Sequence, residues 1–302
     1  MDLLILAAGM GSRFGGLKQA EPMDEYGDFI IDYSIYDAIK VGFDRVVFII
    51  KEENYELFKN TVGKRIEPFV KVEYVFQSLD LIPEGITLPK ERTKPLGTAQ
   101  AILSAKDVIA DKFLMINSDD FYGRDAFEVA YDFLSKVDPS KKGTYGNIAF
   151  KVKNTLSETG SVKRGILNFD SNNQLTSLVE SVVERKDNEI YAYPLDEEDK
   201  EAVIKDDTLV SMNMFAFTKD IMDRINEGYL PFFIENKNNL LKCEYLIPSV
   251  VSNLVESRNA TCEVLSTKSV WYGVTYKEDK DFVVKSIKKL VDEGQYPKGL
   301  WK

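Results

Sequence analysis

Apolar runs and helical patterns alternate over the first 120 residues of the chain. Leu3–Ala7 and Val46–Ile50 are short and almost wholly apolar, which is typical of strands buried on both faces of a parallel sheet. Between them, Ile31–Val41 carries apolar residues at helical spacing. The same patterns predict further strands and helices at Val70–Phe76, Phe113–Ile116, Tyr55–Thr61 and Thr98–Ile109. This alternation predicts a Rossmann-like, doubly wound α/β sheet, in which ligands bind at the carboxyl ends of the strands.

The second half of the chain has a different pattern, in which strands are joined by turns. Four strands are predicted here, at Asn147–Lys153, Ile166–Asp170, Leu175–Val179 and Val210–Phe217. Two helices are predicted nearer the C-terminus, at Tyr245–Val255 and Lys280–Glu293. The polar, acidic stretch Glu184–Asp207 is expected to form a surface hairpin or a helix. We therefore expect one mixed-sheet domain over residues 1–302, with a doubly wound half at 1–145 and an antiparallel extension at 146–302.

The composition excludes several classes of function. The chain has 302 residues and a net charge of −10, so it lacks the basic surface that non-specific nucleic-acid binding requires. It contains no histidine, which excludes Ser-His-Asp hydrolases, Cys-His proteases and histidine-based zinc sites. Any metal would therefore be held by carboxylates, which favours Mg²⁺ or Mn²⁺.

The cysteines and the N-terminus indicate a cytoplasmic location. Cys243 and Cys262 form neither a disulfide framework nor a metal-binding spacing, which is typical of a reducing compartment. The first apolar run lacks a preceding basic region and is too short for a signal peptide or a membrane span. We therefore expect a cytoplasmic protein without a membrane partner.

A glycine-rich loop with two cations follows the first predicted strand. Gly9–Lys18 contains four glycines together with Arg13 and Lys18. Glycines let backbone N–H groups approach phosphate oxygens, and the cations can neutralise negative charge on them. The loop is not a Walker A motif, because Leu17 separates the lysine from the glycines, nor a dinucleotide fingerprint, because Phe14 replaces a glycine. A glycine-rich turn without a ligand is the alternative.

The residues around this loop resemble a known family. The signature of sugar-phosphate nucleotidyltransferases, such as glucose-1-phosphate thymidylyl- and uridylyltransferases, is similar to Leu6-Ala7-Ala8-Gly9-Met10-Gly11-Ser12-Arg13-Phe14 with Lys18. The resemblance implies a GT-A-like nucleotidyltransferase fold in which 1–145 bind the nucleotide and 146–302 the acceptor. It implies that the loop wraps the phosphates of an NTP, with contacts from Leu6, Ala8, Gly9 and Gly11. It further implies that Arg13 and Lys18 stabilise the leaving pyrophosphate.

A second set of residues resembles the family's nucleobase site. Gln77 ends the third predicted strand, and Gly97 and Thr98 belong to the segment Pro95-Leu96-Gly97-Thr98-Ala99. By resemblance, all three contact the base. A glutamine amide offers a donor and an acceptor to a base edge, and a glycine permits close approach of the backbone. A helix N-cap is the alternative role for Thr98.

The metal site is expected where the fourth predicted strand ends, in Ser118-Asp119-Asp120. By resemblance, Asp119 is a ligand of Mg²⁺, which offsets the repulsion between the two reacting phosphates. The family has a second aspartate in Trp-x-Asp-x-Gly, but this chain has Gly273 at that position. Asp120 is the candidate for the second carboxylate. A strand-end turn is the alternative for both aspartates.

The acceptor half of the family site is matched less closely. By resemblance, the acceptor contacts are Gly165, Glu180, Asn213 and Lys242. The family usually follows the glutamate with a lysine that binds the sugar phosphate, whereas this chain has Ser181. Arg185 or Lys186 is a possible replacement, and a solvated side chain is the alternative for Lys242.

Taken together, these motifs predict transfer of a nucleoside monophosphate from an NTP to a sugar phosphate, with release of pyrophosphate. The expected partners are the NTP and a phosphorylated, sugar-like acceptor, with no nucleic acid, and a homo-oligomer is possible because relatives commonly form one. Three alternatives are kept. They are a cytidylyltransferase acting on an alditol phosphate or another non-sugar acceptor, a GT-A-type glycosyltransferase using Asp119 and Asp120, and a non-catalytic nucleotide sensor.

Overall fold

A computed structural model of the chain describes residues 1–9, 21–157, 160–195, 200–273 and 279–302. Its strands are β1 Asp2–Leu6, β2 Arg45–Ile50, β3 Lys71–Phe76, β4 Lys112–Asn117, β5 Asp120–Phe121, β6 Thr144–Lys151, β7 Val162–Phe169, β8 Leu175–Lys186, β9 Glu189–Pro194, β10 Ala202–Ile204, β11 Leu209–Thr218, β12 Thr261–Ser266 and β13 Tyr272–Gly273. Its α-helices are α1 Ile30–Val41, α2 Tyr55–Phe58, α3 Lys64–Ile66, α4 Thr98–Leu103, α5 Arg124–Lys136, α6 Ile221–Glu235, α7 Ile247–Glu256 and α8 Asp279–Asp292. A π-helical segment, Lys59–Gly63, joins α2 to α3.

The strands of the first half form the parallel part of the main sheet. Their order is β4-β1-β2-β3, and every neighbouring pair is parallel. Leu3, Leu4 and Ile5 of the central strand β1 are fully buried, which explains its unbroken apolar sequence. Because β2 and β4 lie on opposite sides of β1, the ends of β1 and β4 flank the switch point at which such sheets bind ligands.

The second half continues the same sheet with mostly antiparallel strands. β11 pairs with the other edge of β4, placing Phe215 opposite Met115, and the order continues through β7, β8, β9 and β10. The pairing of β11 with β6 shifts register between Ser211 and Phe215, and Asn213 in this bulge has a φ of 59°. Such a bulge redirects a side chain. One 11-stranded sheet therefore contains strands from both halves, while the single domain over 1–302 stays a prediction.

Helices cover both faces of this sheet. α1 and α5 pack on the face that carries Leu3 and Ile5 of β1. α4, α6 and α7 pack on the face that carries Leu4. α8 and the C-terminal segment that follows it, residues 293–302, pack against Tyr33 of α1 in a third apolar cluster. The architecture confirms the predicted doubly wound α/β sheet with an antiparallel extension.

The structure also corrects parts of the prediction. α4 ends at Leu103, short of the predicted end at Ile109. The helix alternative for Glu184–Asp207 is wrong, because this stretch contains the end of β8 together with β9 and β10. α5, α6 and β12 are not among the predicted elements. Among the described residues, no helix is both long and apolar enough to cross a membrane.

Candidate active site

A cleft of ≈ 310 Å³ lies at the carboxyl ends of β1, β3 and β4. The side chains and backbone that line it are Leu6, Ala8, Gly9, Ile49, Gln77, Pro95, Gly97, Thr98, Ala101, Asn117, Ser118, Asp119 and Glu244. We call it the strand-end cleft. Seven of these residues are ones that the sequence placed in the nucleotide or metal site, namely Leu6, Ala8, Gly9, Gln77, Gly97, Thr98 and Asp119. Gly11, Arg13 and Lys18 lie outside the described residues.

One wall of the strand-end cleft is built by the close approach of Gly97 to Tyr245. Gly97 has a φ of +105°, and a Cβ atom built there would lie 2.4 Å from the carbonyl oxygen of Tyr245. Two hydrogen bonds hold the segments together, from Tyr245 N to Leu96 O at 2.7 Å and from Ala99 N to Tyr245 O at 2.9 Å. Only glycine satisfies both the backbone conformation and the contact distance.

Thr98 connects two helices at this wall. Gly97, and not Thr98, occupies the N-cap position of α4, so the predicted N-cap alternative for Thr98 is wrong. The Thr98 hydroxyl instead accepts a hydrogen bond of 2.9 Å from the N–H of Ile247, the first residue of α7. This bond satisfies one of the N–H groups that a helix leaves unpaired at its start. Thr98 therefore fixes α7 against α4 while it lines the cleft.

The loop between β3 and α4 is held by a buried arginine. Arg92 is only 5% exposed, and its guanidinium donates to four backbone carbonyl oxygens, those of Lys94, Pro95, Leu240 and Cys243. Buried donors must find acceptors, and here the acceptors belong to two segments that are far apart in sequence. Arg92 thereby ties the segment before Gly97 to the one before Tyr245.

An ion pair lies at the edge of the same wall. Lys94 Nζ is 2.5 Å from Glu244 Oε2, and Glu244 lines the cleft. The neighbouring Lys242 is exposed and does not line the cleft. The predicted acceptor contact therefore lies outside the cleft, while Glu244, to which the sequence assigned nothing, lies inside it.

Gln77 is oriented by its neighbours. Its backbone N–H extends the pairing of β3 with β2 by donating to Ile50 O at 2.9 Å. Its Nε2 donates to Gly97 O at 3.3 Å and to Oε1 of Gln100 at 2.6 Å. The side chain is thus fixed at the cleft wall, next to Gly97, and its contact with a base stays a prediction.

Asp119 and Asp120 differ sharply in environment. Asp119 is partly buried and lines the strand-end cleft, whereas Asp120 is buried in β5. Asp120 Oδ2 accepts hydrogen bonds from Asn117 Nδ2 at 2.9 Å and from Tyr122 OH at 3.1 Å. Burial and the nearby Asp119 carboxylate raise the pKa of Asp120 to about 7, against the lowering effect of its two donors.

Gly273 is the cross-strand partner of Asp120 in the pairing of β13 with β5. A Cβ atom built on Gly273 would lie 2.3 Å from the ring of Trp271 and 3.2 Å from Asp120 Oδ1. The position at which the family carries its second aspartate therefore has no room for a side chain, because Trp271 covers it. The Asp120 carboxylate lies beside that position, which supports its choice as the replacement.

A buried cation accompanies Asp120. Arg164 is 6% exposed, stacks on Trp271 with 4.6 Å between the guanidinium carbon and the ring centroid, and donates to Thr155 Oγ1 at 3.1 Å. Burial lowers the pKa of Arg164 to about 10, while Asp120 and Glu180 act against this shift. Arg164 also faces Ser181 across the β7–β8 pair. It therefore supplies positive charge close to the position where the family has its lysine.

Arg164 lines a second cavity, of ≈ 570 Å³, together with Arg185, Trp271 and Gly273. Arg185, one of the suggested replacements for the missing lysine, also forms an ion pair of 3.1 Å with Asp206. The other suggestion, Lys186, pairs with Glu184 at 2.5 Å and is not among the residues lining this cavity.

The predicted acceptor residues are only partly brought together. Gly165 lies opposite Glu180 in the β7–β8 pair and opposite Ser211 of β11. Asn213 reaches the cleft indirectly, because its Nδ2 donates to Oδ1 of the cleft residue Asn117 at 2.8 Å. Gly165, Glu180 and Asn213 therefore follow one another across the antiparallel strands next to the cleft, but none of them lines it.

Three further residues shape the site without having been predicted from the sequence: Asn117, Gln100 and Glu244. Asn117 ends β4, and the rule that ligand sites lie at strand ends could have identified it. Gln100 directly follows the nucleobase segment Pro95–Ala99, but its contact with Gln77 depends on the fold of the intervening loop. Glu244 has no local signal, because α7 and the preceding loop bring it to the cleft from far along the chain.

The described carboxylates can supply only some of the ligands that a metal ion needs. No group of three or more acidic or cysteine side chains able to hold a metal occurs among the described residues. Asp119 and Asp120 are adjacent, and both offer oxygen, which is the donor that Mg²⁺ prefers. A Mg²⁺ ion keeps several water or phosphate ligands, so two carboxylates fit it.

Comparison with known proteins identifies the family. The profile of a family described as nucleotidyl transferase matches residues 3–279. The bifunctional protein GlmU of Methanococcus maripaludis strain C5 is 28% identical over 149 residues, which are 46% of this chain and 30% of that protein. GlmU of strain C7 is likewise 28% identical over 149 residues, covering 47% of this chain and 30% of that protein. The chain thus spans less than a third of the length of these relatives.

Solved structures show the same fold. The inositol-1-phosphate CTP transferase from T. maritima superimposes with a TM-score of 0.62 over 96% of both chains, at 13% identity. HddC from Yersinia pseudotuberculosis superimposes with a TM-score of 0.55 over 95% of this chain and 99% of that chain, at 16% identity. At such identities the likeness concerns the fold.

Proposed function

The chain belongs to the nucleotidyl transferase family and is a nucleotidyltransferase, and from this premise we propose that it transfers a nucleoside monophosphate from an NTP to a sugar phosphate. The products are a nucleoside diphosphate sugar and pyrophosphate. The observation that carries this proposal is the strand-end cleft, where the predicted base contacts Gln77 and Gly97 meet the predicted metal ligand Asp119. The family also favours nucleotidyl transfer over glycosyl transfer or nucleotide sensing.

The nucleotide is proposed to enter the strand-end cleft with its base against Gln77, Gly97 and Thr98. The Gly97 backbone, which no side chain shields, allows the base to approach closely. Leu6, Ala8 and Gly9 then lead to the glycine-rich loop. Arg13 and Lys18 of that loop are proposed to neutralise the charge that builds up on the pyrophosphate.

Asp119 and Asp120 are proposed to hold Mg²⁺. When bound there, Mg²⁺ would offset the electrostatic repulsion between the anionic acceptor and the NTP. Asn117 and Tyr122 hold the Asp120 carboxylate in place through hydrogen bonds. Asn213 holds Asn117 in turn, so three strands contribute to the orientation of one carboxylate.

An oxygen of the acceptor phosphate attacks the α-phosphorus of the NTP in line. The new bond forms as the bond between the α-phosphorus and the bridging oxygen of the β-phosphate breaks, and pyrophosphate leaves. The acceptor phosphate is already an anion, so no protein group needs to remove a proton from it. This fits a chain without histidine.

The acceptor is proposed to lie over Gly165, Glu180 and Asn213, with hydroxyl groups donating to the Glu180 carboxylate. A second candidate is cytidylyl transfer to a polyol phosphate. It is supported by Ser181, which replaces the family's lysine, and by the fold shared with an inositol-1-phosphate CTP transferase.

The test is acceptor-dependent pyrophosphate release with Mg²⁺, across the common NTPs and a panel of sugar 1-phosphates, inositol phosphate and alditol phosphates. We expect one NTP and one acceptor class to support turnover. Asp119→Asn should lower kcat/KM by about a hundred-fold or more, because it weakens the metal site. The matched control is Asp111→Asn, an exposed carboxylate at the opposite end of β4. Equal activity of the two variants would contradict the assignment of Asp119, and nucleotide binding without turnover would favour the sensor.

A further inference from the structure

A buried chain of amide hydrogen bonds ends at the base contact Gln77. Gln100 on α4 is fully buried and does not line the strand-end cleft. Its Nε2 donates to Ser78 O at 2.9 Å, and its Oε1 accepts from Gln77 Nε2 at 2.6 Å. Gln77 Nε2 also donates to Gly97 O at 3.3 Å. Two glutamine amides are therefore linked between two backbone carbonyl groups.

The two ends fix the direction of this chain. A carbonyl oxygen can only accept, so Gln100 must turn its amide nitrogen to Ser78 and its amide oxygen to Gln77. Gln77 must then turn its own nitrogen to Gln100 and Gly97, which engages both of its N–H groups. What Gln77 can still offer to a ligand is the carbonyl oxygen Oε1, an acceptor.

We propose that Gln100 is a positioning residue that makes Gln77 a hydrogen-bond acceptor toward the nucleobase. The cleft then selects a base edge that presents an N–H group, such as the amino group of cytosine or adenine or the ring N–H of uracil, thymine or guanine. An edge with acceptors alone would leave the Gln77 oxygen unpaired, which a site built around a hydrogen bond rejects. This inference rests on the proposed NTP site.

The test compares the NTP that binds best with an analogue that lacks the N–H. The analogues are 3-methyl-UTP, 3-methyl-dTTP, 1-methyl-ITP in place of GTP, and the triphosphates of the pyrimidin-2-one and purine ribosides for CTP and ATP. Titration calorimetry gives the dissociation constants without an acceptor. We expect the wild-type protein to bind the analogue more weakly by about a hundred-fold or more.

Variants of Gln100 separate positioning from simple support of the fold. Gln100→Met keeps the volume but removes both hydrogen bonds, so Gln77 can turn its amide and the preference should fall to about ten-fold or less. Gln100→Glu is buried and therefore expected to be protonated, so it can still donate to Ser78 O and offer an acceptor to Gln77, and it should keep the wild-type preference. Ser104→Ala is the matched control, because it removes a hydroxyl that donates to the backbone oxygen of Gln100 at 3.3 Å. A structural role alone would lower stability without changing the preference.

Two results would overturn the inference. One is equal binding of the NTP and its analogue by the wild-type protein, and the other is an unchanged preference in Gln100→Met. If Gln100→Met does not fold, as judged by circular dichroism, loss of the preference in the folded Gln100→Glu variant would also contradict it. Failure of pyrophosphate release with every acceptor would count against the proposed reaction instead, since calorimetry measures the base preference separately.

Discussion

At the scale of single residues, Gly97 is where the cleft is most sensitive to substitution. A methyl group there would meet the Tyr245 carbonyl oxygen at 2.4 Å, and the φ of +105° is itself unfavourable for alanine. We predict that Gly97→Ala lowers the free energy of unfolding by about 3 kcal/mol, the sum of backbone strain and a displaced wall. It should also weaken NTP binding. Urea unfolding and calorimetry measure the two effects.

Gly85→Ala is the control for backbone strain. Gly85 has a similar φ of +84°, but a Cβ atom there would meet nothing within 4 Å. Its substitution should cost only about 1 kcal/mol and leave NTP binding unchanged. If both variants lose the same stability and bind alike, the close approach of Tyr245 does not shape the cleft.

Single residues also show how far the motifs could predict the site. The positions of Gln77, Gly97 and Asp119 follow from motif spacing, because each lies just after a strand or just before a helix at the same edge of a parallel sheet. Gly273 shows the limit. The sequence shows that glycine replaces the family's aspartate at this position. Only the fold shows that Trp271 fills the space of a side chain there and that Asp120 lies beside it.

At the scale of helices and strands, the site depends on how α7 is attached to α4. The attachment is the Thr98 hydroxyl, which accepts the N–H of Ile247. We predict that Thr98→Val, which keeps the shape but not the oxygen, lowers the free energy of unfolding by about 1–2 kcal/mol, because a helix N–H loses its partner. Urea unfolding is the measurement.

Thr98→Ser provides the matched comparison, since it keeps the hydroxyl and should retain most of the stability. Thr93→Val, at an exposed threonine of the loop before α4, should be close to neutral. Similar losses in Thr98→Val and Thr98→Ser would show that the methyl group, and not the hydrogen bond, holds α7.

The elements differ in how well sequence could have located them. α5 carries its buried residues at helical spacing, so its signal is present in the sequence. α6 contains Pro231, which normally argues against a helix interior and obscures its pattern. β12 is short and is paired in parallel with β6. Its position depends on a partner far away in sequence, as does the contact of Arg92 with Cys243, and local patterns do not report such pairings.

At the scale of the whole molecule, α1 places two buried carboxylates between the sheet and the C-terminal segment. Asp32 forms an ion pair with Arg65 at 2.9 Å, and Asp37 accepts from Arg124 Nε at 3.0 Å and from Tyr296 OH at 2.5 Å. Burial raises the pKa of each carboxyl to about 6, although these partners act against the shift. The packing of α1 against the end of the chain thus involves carboxyl groups that bind a proton more readily than an exposed aspartate does.

These pKa values make the stability of the protein depend on pH in a definite direction. An unfolded aspartate titrates near pH 4, so between about pH 4 and pH 6 the folded state binds more protons than the unfolded state. The free energy of unfolding contributed by Asp37 is therefore greatest below pH 4 and is lost as the pH rises through 6.

We predict that, between pH 4 and pH 6, the free energy of unfolding falls less steeply with pH in Asp37→Asn than in the wild-type protein. The two slopes should differ by up to about 1.4 kcal/mol per pH unit, because the variant lacks the one proton that Asp37 takes up on folding. Urea unfolding from pH 4 to pH 7.5 measures the slopes, and Asp132→Asn, an exposed carboxylate paired with Lys136 on α5, controls for the lost charge. Parallel curves for the wild-type protein and Asp37→Asn would mean that the Arg124 and Tyr296 contacts outweigh burial at this position.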